Sequence, residues 1–373
     1  MPDQSRRDFL RSTALAAAAV PYVNGFVPGL AMRHSDDESR DEKKLGFALV
    51  GLGSLSTNQI APALAKTKNC KLAAIVTGTP AKAAKWKAQY NIPDGSIYNY
   101  ETMSRMADNK DIDVVYVVTP NSLHAEHTIK AAKAGKHVLC EKPMEVSSAK
   151  CQAMIAACKA AGRQLAIGYR CRFEPHHVEV QRIAHDKEMG EVRIIESGFG
   201  FSIGDPTQWR LNRALAGGGP LMDVGIYSIQ SAEMIAGQYP IAVSAMQSKT
   251  DPVKFKEVEE TMTFELKFAN NISAYCTTTY KVNGINRTTA FADRGSFGLV
   301  PAFNYDGIKG WRSDSKPLRF DSVDQFATEM DDFANCILTG KPTSVPGEMG
   351  LRDVRTMMAI YESARTGRTI KLT

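Results

Sequence analysis

The sequence lacks the features that mark several protein classes. After residue 31 no apolar run is long enough to cross a bilayer, so no membrane partner is expected. The 46 basic and 40 acidic residues form no basic stripe, and nothing favours a nucleic-acid partner. Neither a Gly-x-Ser-x-Gly hydrolase motif nor a Walker phosphate loop occurs. With 373 residues, 43% hydrophobic and 23% charged, the chain is long enough for two globular domains.

The cysteines form neither a disulfide pattern nor a zinc pattern. Seven are present, an odd number, and no Cys-x-x-Cys pair occurs. Most lie in apolar contexts, so we expect buried, reduced thiols. His124-x-x-His127 and His176-His177 have no third ligand at a recognisable spacing, and no metal site is predicted.

Residues 1–31 have the composition of an export signal. The pair Arg6-Arg7 precedes an apolar stretch over residues 12–20 and small residues up to Ala31. This order predicts a twin-arginine signal peptide and a periplasmic protein, and a basic amphipathic arm that stays attached is the alternative. Residues 32–44 follow as a charged linker, or as an arm that orders over a ligand.

Residues 45–168 alternate short apolar runs with amphipathic segments. The predicted strands are Leu45–Val50, Leu72–Val76, Val114–Val118, His137–Cys140 and Gln164–Gly168. The predicted helices between them are Asn58–Lys66, Ala81–Tyr90, His124–Ala134 and Ser147–Ala161. Apolar strands joined by helices are typical of βαβ units, so this α/β part is expected to be a Rossmann domain with a parallel sheet.

Residues 169–373 have a different pattern. The predicted strands are Val192–Phe201, Ile241–Gln247, Glu259–Phe268, Ile272–Tyr280, Arg287–Phe291 and Ser296–Val300. The predicted helices are Glu174–His185, one that begins at Pro220, Ser322–Thr339 and Gly347–Thr366. Consecutive strands with short turns predict an α+β domain with a large, mostly antiparallel, open-faced sheet. Such a face is a natural surface for a homodimer or a higher homo-oligomer.

A glycine-rich turn follows the first predicted strand. Gly51-x-Gly53-x-x-Ser56 permits a tight turn and lets backbone N–H groups approach a pyrophosphate at a helix N-terminus. Ser56 replaces the usual third glycine and is small enough for close packing of helix and strand. At the start of a βαβ series, this pattern predicts a dinucleotide site.

The end of the second strand distinguishes NADP from NAD. A carboxylate there would bind the adenosine ribose and repel a 2′-phosphate. The strand instead ends in Thr77-Gly78-Thr79, with Lys82 one turn later. Two hydroxyls and a cation suit a phosphate and favour NADP, although a plain polar turn before a helix is the alternative.

Two further segments carry candidate catalytic residues. Glu141-Lys142-Pro143 ends a strand at the sheet edge that faces the ligand crevice. Asp223 and Tyr227 lie at i and i+4 after a glycine tract and Pro220, hence on one face of a helix. Each segment alone is a common surface pattern, and only their combination points to catalysis.

Together these motifs resemble the Gfo/Idh/MocA oxidoreductase family, from residue 45 to the C-terminus. The resemblance rests on Gly51–Gly53, Thr119-Pro120-Asn121-x-x-His124, Glu141-Lys142-Pro143 and Gly217–Gly225. Within the family, Gly168–Cys171, Trp209-Arg210, Asp223–Tyr227 and Gly347–Arg355 are similar to a sugar-oxidising branch, that of the glucose–fructose and exported aldose–aldose oxidoreductases.

The resemblance implies acid/base chemistry at a sugar. Lys142 and Tyr227 would share proton transfer, with Asp223 beside them, because hydride leaves the anomeric carbon only as its hydroxyl loses a proton. A free tyrosine titrates near ~10, and a Lys142 ammonium close by is expected to lower that pKa. The implied substrate residues are Lys142, Tyr169, Arg170, Trp209, Asp223 and Tyr227. The implied nucleotide-binding residues are Gly51, Leu52, Gly53, Ser54, Leu55, Thr77, Gly78, Thr79, Lys82, Tyr98, Thr119, Pro120, Asn121, His124, Glu141, Lys142, Arg170, Trp209 and Arg210.

Export and NADP together predict a closed reaction cycle. No pool of cofactor is expected outside the cytoplasm to reoxidise NADPH, so the nucleotide would be tightly bound and non-dissociating. One aldose would be oxidised to its lactone, and a second aldose or ketose would be reduced to the alditol in a ping-pong cycle. The alternatives are a conventional sugar or inositol dehydrogenase with exchangeable NAD(P), and a non-catalytic sugar-binding sensor on the same scaffold.

Overall fold

The computed structural model describes residues 44–372. The predicted signal peptide, and all but the last residue of the predicted linker, lie outside the described residues. Within the described range, none of the helices combines the length and the apolarity needed to cross a bilayer. All seven cysteines are buried and unpaired, as the sequence predicted.

The first half of the described chain forms a parallel sheet of six strands. They are β1 (Leu45–Val50), β2 (Cys70–Val76), β3 (Ile97–Tyr98), β4 (Val114–Val117), β5 (His137–Glu141) and β6 (Leu165–Gly168). Their order is β3-β2-β1-β4-β5-β6, and all neighbours are parallel. Every residue of β1 and β4 is buried, which is why these strands are continuous apolar runs. The predicted Rossmann domain is confirmed.

Helices connect these strands across the sheet. They are α1 (Ala61–Leu64), which continues a π-helical turn at Ser56–Ile60, α2 (Pro80–Tyr90), α3 (His124–Lys133) and α4 (Ser148–Ala160). The strand order reverses between β1 and β4, so the connections leave these two strands in opposite directions. Ligands bind at such a switch point, outside the carboxyl ends of the strands.

The second sheet has eight strands in the order β13-β12-β11-β7-β10-β9-β8-β14. They are β7 (Val192–Gly200), β8 (Pro240–Ser248), β9 (Thr261–Phe268), β10 (Ser273–Thr279), β11 (Asn286–Ala292), β12 (Gly295–Leu299), β13 (Gly310–Arg312) and β14 (Ile370–Lys371). β7 and β10 are parallel, and the other neighbours are antiparallel. The predicted mostly antiparallel sheet is confirmed, and β9 alternates between buried and more exposed residues, as one covered face requires.

Five helices accompany the second sheet. They are α5 (Pro175–His185), α6 (Arg213–Ala216), α7 (Ile226–Ala236), α8 (Gln325–Thr339) and α9 (Gly347–Thr366). α7 packs against β7, β10 and β11, on the covered face of the sheet. α8 returns to the first domain, where Asp331 accepts hydrogen bonds from the backbone N–H groups of Lys68 and Asn69. Most of the buried apolar side chains of both domains form one continuous core, and a smaller cluster includes Ile203, Phe255 and Tyr280.

Candidate active site

The glycine turn after β1 forms the floor of a cleft. Gly51 has a φ of 93°, and a side chain there would begin 2.9 Å from the carbonyl oxygen of Val118, so the chain needs glycine for both reasons. A side chain on Gly53 would meet no atom within 4 Å. The space above Gly53 is therefore a cradle that a larger residue would fill. The buried Ser56 hydroxyl donates to the carbonyl of Gly51 and stabilises the turn.

The cleft has a volume of 490 Å³ and runs across the carboxyl ends of the parallel strands. Its lining includes most of the predicted nucleotide-binding residues. They are Gly51, Leu52, Gly53, Ser54, Leu55, Thr77, Gly78, Thr79, Lys82, Thr119, Pro120, Asn121, His124, Glu141, Lys142, Trp209 and Arg210, together with Asp223. At the β2 end, Thr77, Thr79 and Lys82 line the cleft without a neighbouring carboxylate among its lining residues. A phosphate therefore fits there electrostatically.

Tyr98 lies outside the cleft, contrary to the prediction. It ends β3, is 8% exposed, and its hydroxyl accepts a hydrogen bond of 3.1 Å from the side chain of Asn109. Tyr100 lines the cleft instead, and its ring edge lies 3.2 Å from the point where a Gly78 side chain would begin. The two residues of β3 are too few for an alternating pattern, so the sequence did not show which tyrosine faces the crevice.

His124 joins two walls of the cleft. Its Nδ1 lies 2.9 Å from the carbonyl oxygen of Pro143, and its Nε2 lies 2.7 Å from that of Thr119. Burial lowers the pKa of the imidazole, against hydrogen bonds to these carbonyls that raise it. His124 thus holds the Thr119 loop against the segment that carries Lys142. It also begins α3, so it contributes to the packing of that helix as well as to the shape of the cleft.

Lys142 and Asp223 line the end of the cleft, and Tyr227 lies behind Lys142, where the two residues line a smaller cavity. The Lys142 ammonium donates to the backbone carbonyl of Asp223 at 2.8 Å, lies 3.7 Å from its carboxylate, and is 4.8 Å from the Tyr227 ring centre. Asp223 lies in a π-helical turn, Leu221–Gly225, and Tyr227 in the first turn of α7. The structure therefore brings together the three predicted catalytic residues.

Asp223 is a half-buried, ionised carboxylate. Burial alone would raise its pKa, but Arg210 and Lys142 outweigh burial and lower it. Arg210 Nε donates to Asp223 Oδ2 at 2.9 Å, and the Tyr280 hydroxyl donates to the same oxygen at 2.8 Å. Sequence reasoning missed Tyr280. Its position at the end of a predicted strand was the available signal, but the strand pairing that faces it towards Asp223 was not predictable.

The cation at the Tyr227 hydroxyl is Arg170 rather than Lys142. Arg170 Nε donates to that oxygen at 3.2 Å, whereas Lys142 faces the ring. Burial raises the pKa of Tyr227 above its ordinary value, and Arg170 opposes this increase. The expectation that Lys142 lowers this pKa is therefore corrected.

Arg170 is buried and does not line the cleft. Its remaining donors bind the carbonyl oxygens of Phe303, at 2.6 Å, and Asn304, at 3.1 Å, and the side chain of Gln325. Arg170 can therefore act on a ligand only through the groups near it, among them Tyr227 and Glu141.

Tyr169 was expected to contact the substrate, but it too is buried away from the cleft. Its hydroxyl donates to the Asp353 carboxylate, which comes from α9. The direction in which β6 ends points this side chain into the core, and the sequence alone did not show that direction. Trp209 does line the cleft, with the guanidinium of Arg210 stacked 4.7 Å from its ring centre.

Comparisons with known proteins agree with this geometry. The model of the oxidoreductase family GFO_IDH_MocA, with an NAD-binding Rossmann fold, matches residues 45–169, and the model of the GFO/IDH/MocA C-terminal domain matches residues 177–298. The crystal structure of aldose–aldose oxidoreductase from Caulobacter crescentus, complexed with glycerol, is 46% identical. It covers 88% of this chain and 100% of its own, with a TM-score of 0.84.

Two curated relatives are also similar along nearly their whole length. D-xylose 1-dehydrogenase [NADP(+)] of Haloarcula marismortui is 28% identical over 94% of this chain and 99% of its own. D-xylose 1-dehydrogenase (NADP(+)) 2 of Haloferax volcanii is 29% identical over 87% of this chain and 99% of its own.

Proposed function

Since this chain belongs to the Gfo/Idh/MocA oxidoreductase family, we propose that it is an NADP-dependent aldose oxidoreductase. It oxidises one aldose at C1 to the lactone and reduces a second aldose or ketose to the alditol. The observation that carries the proposal is that Lys142 and Asp223 line one end of a dinucleotide cleft and that the Tyr227 ring lies directly behind Lys142. The similarity to an aldose–aldose oxidoreductase and to two xylose dehydrogenases supports a sugar as substrate.

The residues of the cleft fit NADP. The open space above Gly53 admits a pyrophosphate to the backbone, and Thr77, Thr79 and Lys82 suit the 2′-phosphate. When bound, NADP supplies the hydride acceptor and, once reduced, the hydride donor. The naming of NADP in both xylose dehydrogenases supports this choice over NAD.

Tyr227 exchanges the proton of the sugar hydroxyl. During oxidation it acts as the base, and during reduction it returns a proton. The Arg170 guanidinium, held by three further oxygen atoms, stabilises the phenolate at the moment when it is needed. Lys142 and the ionised Asp223 hold sugar hydroxyls and fix the anomeric carbon for hydride transfer.

The nucleotide stays bound through the whole cycle, and the protein works in the periplasm. Both parts of this proposal rest on the Arg6-Arg7 signal and on the absence of an expected cofactor pool outside the cytoplasm. Twin-arginine export carries folded proteins, so the nucleotide can be acquired before export. Fractionation of cells that express the full chain tests the location, and a cytoplasmic, unprocessed product would contradict it.

The test of the function is the near-ultraviolet absorbance of the purified protein, with no cofactor added. Glucose or xylose should produce the band of a reduced nicotinamide, and a second sugar should remove it. Lys142→Ala should bind the nucleotide without either change. A flat spectrum, with no nucleotide released on denaturation, would contradict tight binding.

A conventional sugar dehydrogenase is the second candidate, and the two xylose dehydrogenases favour it. Such an enzyme would need added NADP for every turnover. Dialysed protein that reduces added NADP with xylose, but transfers no hydride between two sugars without it, would decide for this candidate.

The open face of the second sheet is the proposed surface of a homodimer. Ile194, Met246 and Tyr275 on this side of the sheet are 41%, 75% and 50% exposed, and a surface depression of 470 Å³ lies among β7–β11. Apolar side chains at this exposure are typical of an interaction surface. Light scattering should give the mass of a dimer or larger assembly, and Tyr275→Glu should weaken it. A monomer at micromolar concentration would contradict the proposal.

A further inference from the structure

A buried hydrogen-bond chain lies behind the cleft wall. The Tyr116 hydroxyl of β4 lies 2.9 Å from Glu141 Oε1 and 3.4 Å from Glu329 Oε2. Glu141, Tyr116 and Glu329 are 5%, 0% and 1% exposed, respectively. Glu141 lines the cleft beside Lys142, whereas Glu329 comes from α8. The chain thus leads from the ligand crevice into the core.

Counting hydrogen atoms shows that one of the two carboxyl groups is protonated. A phenol has one hydrogen to donate, and an ionised carboxylate can only accept. Tyr116 faces a carboxyl oxygen on each side, so one carboxyl must donate to the phenol oxygen. The shorter distance assigns the Tyr116 hydrogen to Glu141, which leaves the additional proton on Glu329. Glu329 Oε1 is buried without a hydrogen-bond partner, which would be costly for an ionised group.

The charges around Glu141 and Glu329 also indicate that one of these two carboxyl groups is protonated. The positive charge of Arg170 lowers the pKa of both carboxyl groups, and one guanidinium balances one carboxylate. Burial raises the pKa of Glu329 far above its ordinary value, and it also raises that of Glu141, against Lys142 and Arg170. The titratable or charged groups that face the pair are Tyr116, Lys142, Arg170, Cys171, Tyr227 and Tyr305.

Glu141 lies where the nicotinamide half of a dinucleotide belongs. The phosphate-type turn follows β2, on one side of the switch point between β1 and β4. The other half of the nucleotide therefore extends over β4 and β5, and Glu141 is the last residue of β5. The inference that follows rests on the proposed function in this respect, that a nicotinamide nucleotide occupies the cleft.

We propose that Glu329, Tyr116 and Glu141 form a proton-shifting chain that adjusts the charge of Glu141 to the redox state of the bound nucleotide. Beside an oxidised, positively charged ring, the proton stays on Glu329 and Glu141 is ionised. After reduction, the Glu329 proton passes to the Tyr116 oxygen while the Tyr116 hydrogen passes to Glu141. No proton enters or leaves the chain. Charge balance in both states suits a site that must accept and return hydride.

Infrared difference spectroscopy of the full chain tests the shift. The protein is brought to equilibrium with excess NADP⁺ or excess NADPH, and the protonated-carboxyl absorption is compared. We expect a difference between the two states that disappears in Glu329→Gln, because glutamine retains hydrogen-bonding groups but carries no acidic proton. In that variant Glu141 remains ionised, so the ratio of bound NADP⁺ to NADPH at a fixed sugar:lactone ratio should rise by roughly tenfold or more.

Two further variants separate the chain from other buried groups. Glu233→Gln is the matched control, because Glu233 of α7 is 4% exposed, has no hydrogen-bond partner and does not line the cleft. It should lose a carboxyl absorption that is the same with both nucleotides. Tyr116→Phe keeps both carboxyl groups but interrupts the chain, so its redox difference should also disappear. This variant provides the test if Glu329→Gln does not fold.

The outcomes distinguish failure of the proton-shifting chain from failure of the proposed function. Spectra that are identical with NADP⁺ and NADPH, or a difference that persists in Glu329→Gln or Tyr116→Phe, would overturn the proton-shifting chain and leave the proposed function intact. Failure of both nucleotides to bind, seen as unquenched protein fluorescence and no retained nucleotide absorbance, would overturn the proposed function, and the redox coupling with it.

Discussion

The hydrogen bond from Tyr280 to Asp223 offers a sharp test of the catalytic assignment. Tyr280→Phe removes one hydroxyl that is 1% exposed and leaves the ring in its packing. Phenylalanine needs no partner for the lost oxygen. Asp223 keeps Arg210 and Lys142, so the carboxylate should lose one of its contacts without losing its charge at neutral pH.

The size of the effect follows from the kind of bond removed. A hydrogen bond to a charged group contributes about 1.5–3 kcal/mol. Two cations still hold Asp223, so we expect the lower end, about 1.5 kcal/mol, which corresponds to roughly a tenfold loss in kcat/KM if the bond orients Asp223 in the transition state. The remaining cations should keep Asp223 ionised at pH 7. The loss in kcat/KM should therefore come from a poorer orientation of Asp223 and not from its protonation.

The pH dependence gives a second readout of the same bond. Asp223 has a lowered pKa in the folded protein, so its contribution to stability is present above the unfolded value and is lost as the pH falls through the folded value. Loss of the Tyr280 donor favours the protonated acid. The acid limb of kcat/KM, and the acid limit of thermal stability, should both move to higher pH.

Tyr98→Phe is the matched control. Tyr98 is also a buried tyrosine with a hydrogen-bonded hydroxyl, but it binds Asn109 outside the cleft. The control should retain kcat/KM and nucleotide binding, which also tests the corrected position of Tyr98. A Tyr280→Phe enzyme with the kcat/KM and acid limb of the wild type would refute the reasoning.

Three further predictions follow from the cleft. Gly53→Val should weaken nucleotide binding at least tenfold, measured by fluorescence titration, with little change in thermal unfolding, because the added Cβ meets no atom of the described residues within 4 Å. Unchanged affinity would argue against the cradle. Lys82→Glu should weaken the binding of NADP by roughly tenfold more than that of NAD in the same titration, since it replaces a cation with an anion beside the 2′-phosphate site. An equal loss of affinity for both nucleotides would place the phosphate elsewhere. Because burial raises the pKa of Tyr227, sugar oxidation should become faster from pH 6 to pH 9 by roughly tenfold or more in stopped-flow measurements. Tyr227→Phe should lose this pH dependence and orders of magnitude in rate. A pH dependence that persists in the variant would assign the base to another group.

Local sequence patterns were sufficient for most of the long strands and helices of both domains. The strand Leu45–Val50 and the helix Gly347–Thr366 have the bounds that were predicted. A buried parallel strand is a continuous apolar run, and a long amphipathic helix repeats its apolar residues at a helical spacing, so both leave a signal within one segment. β3, β13 and β14 were missed, because two or three residues carry no such period.

In the candidate site, too, local sequence predicted some residues, and strand pairing placed the others. Gly51, Gly53, the Thr77–Thr79 turn and Lys142 occupy the ends of strands, and the rule that ligands bind there placed them correctly at the cleft. The parallel pairing of β7 with β10 was not visible, since the two strands are distant in sequence and each could have paired otherwise. Tyr280, which follows β10 directly, was missed for this reason.

By itself, the sequence therefore determined the type of each domain, the glycine turn and the identity of the three residues that meet beside the cleft. Tertiary structure alone decided which partners surround them. Arg170 rather than Lys142 faces the Tyr227 hydroxyl, Tyr280 donates to Asp223, and Glu329 contacts Tyr116 behind Glu141. The physical reason is that a spacing along one helix or strand is a local property, whereas the charge and hydrogen bonds at a buried atom depend on segments that only the packed core brings together.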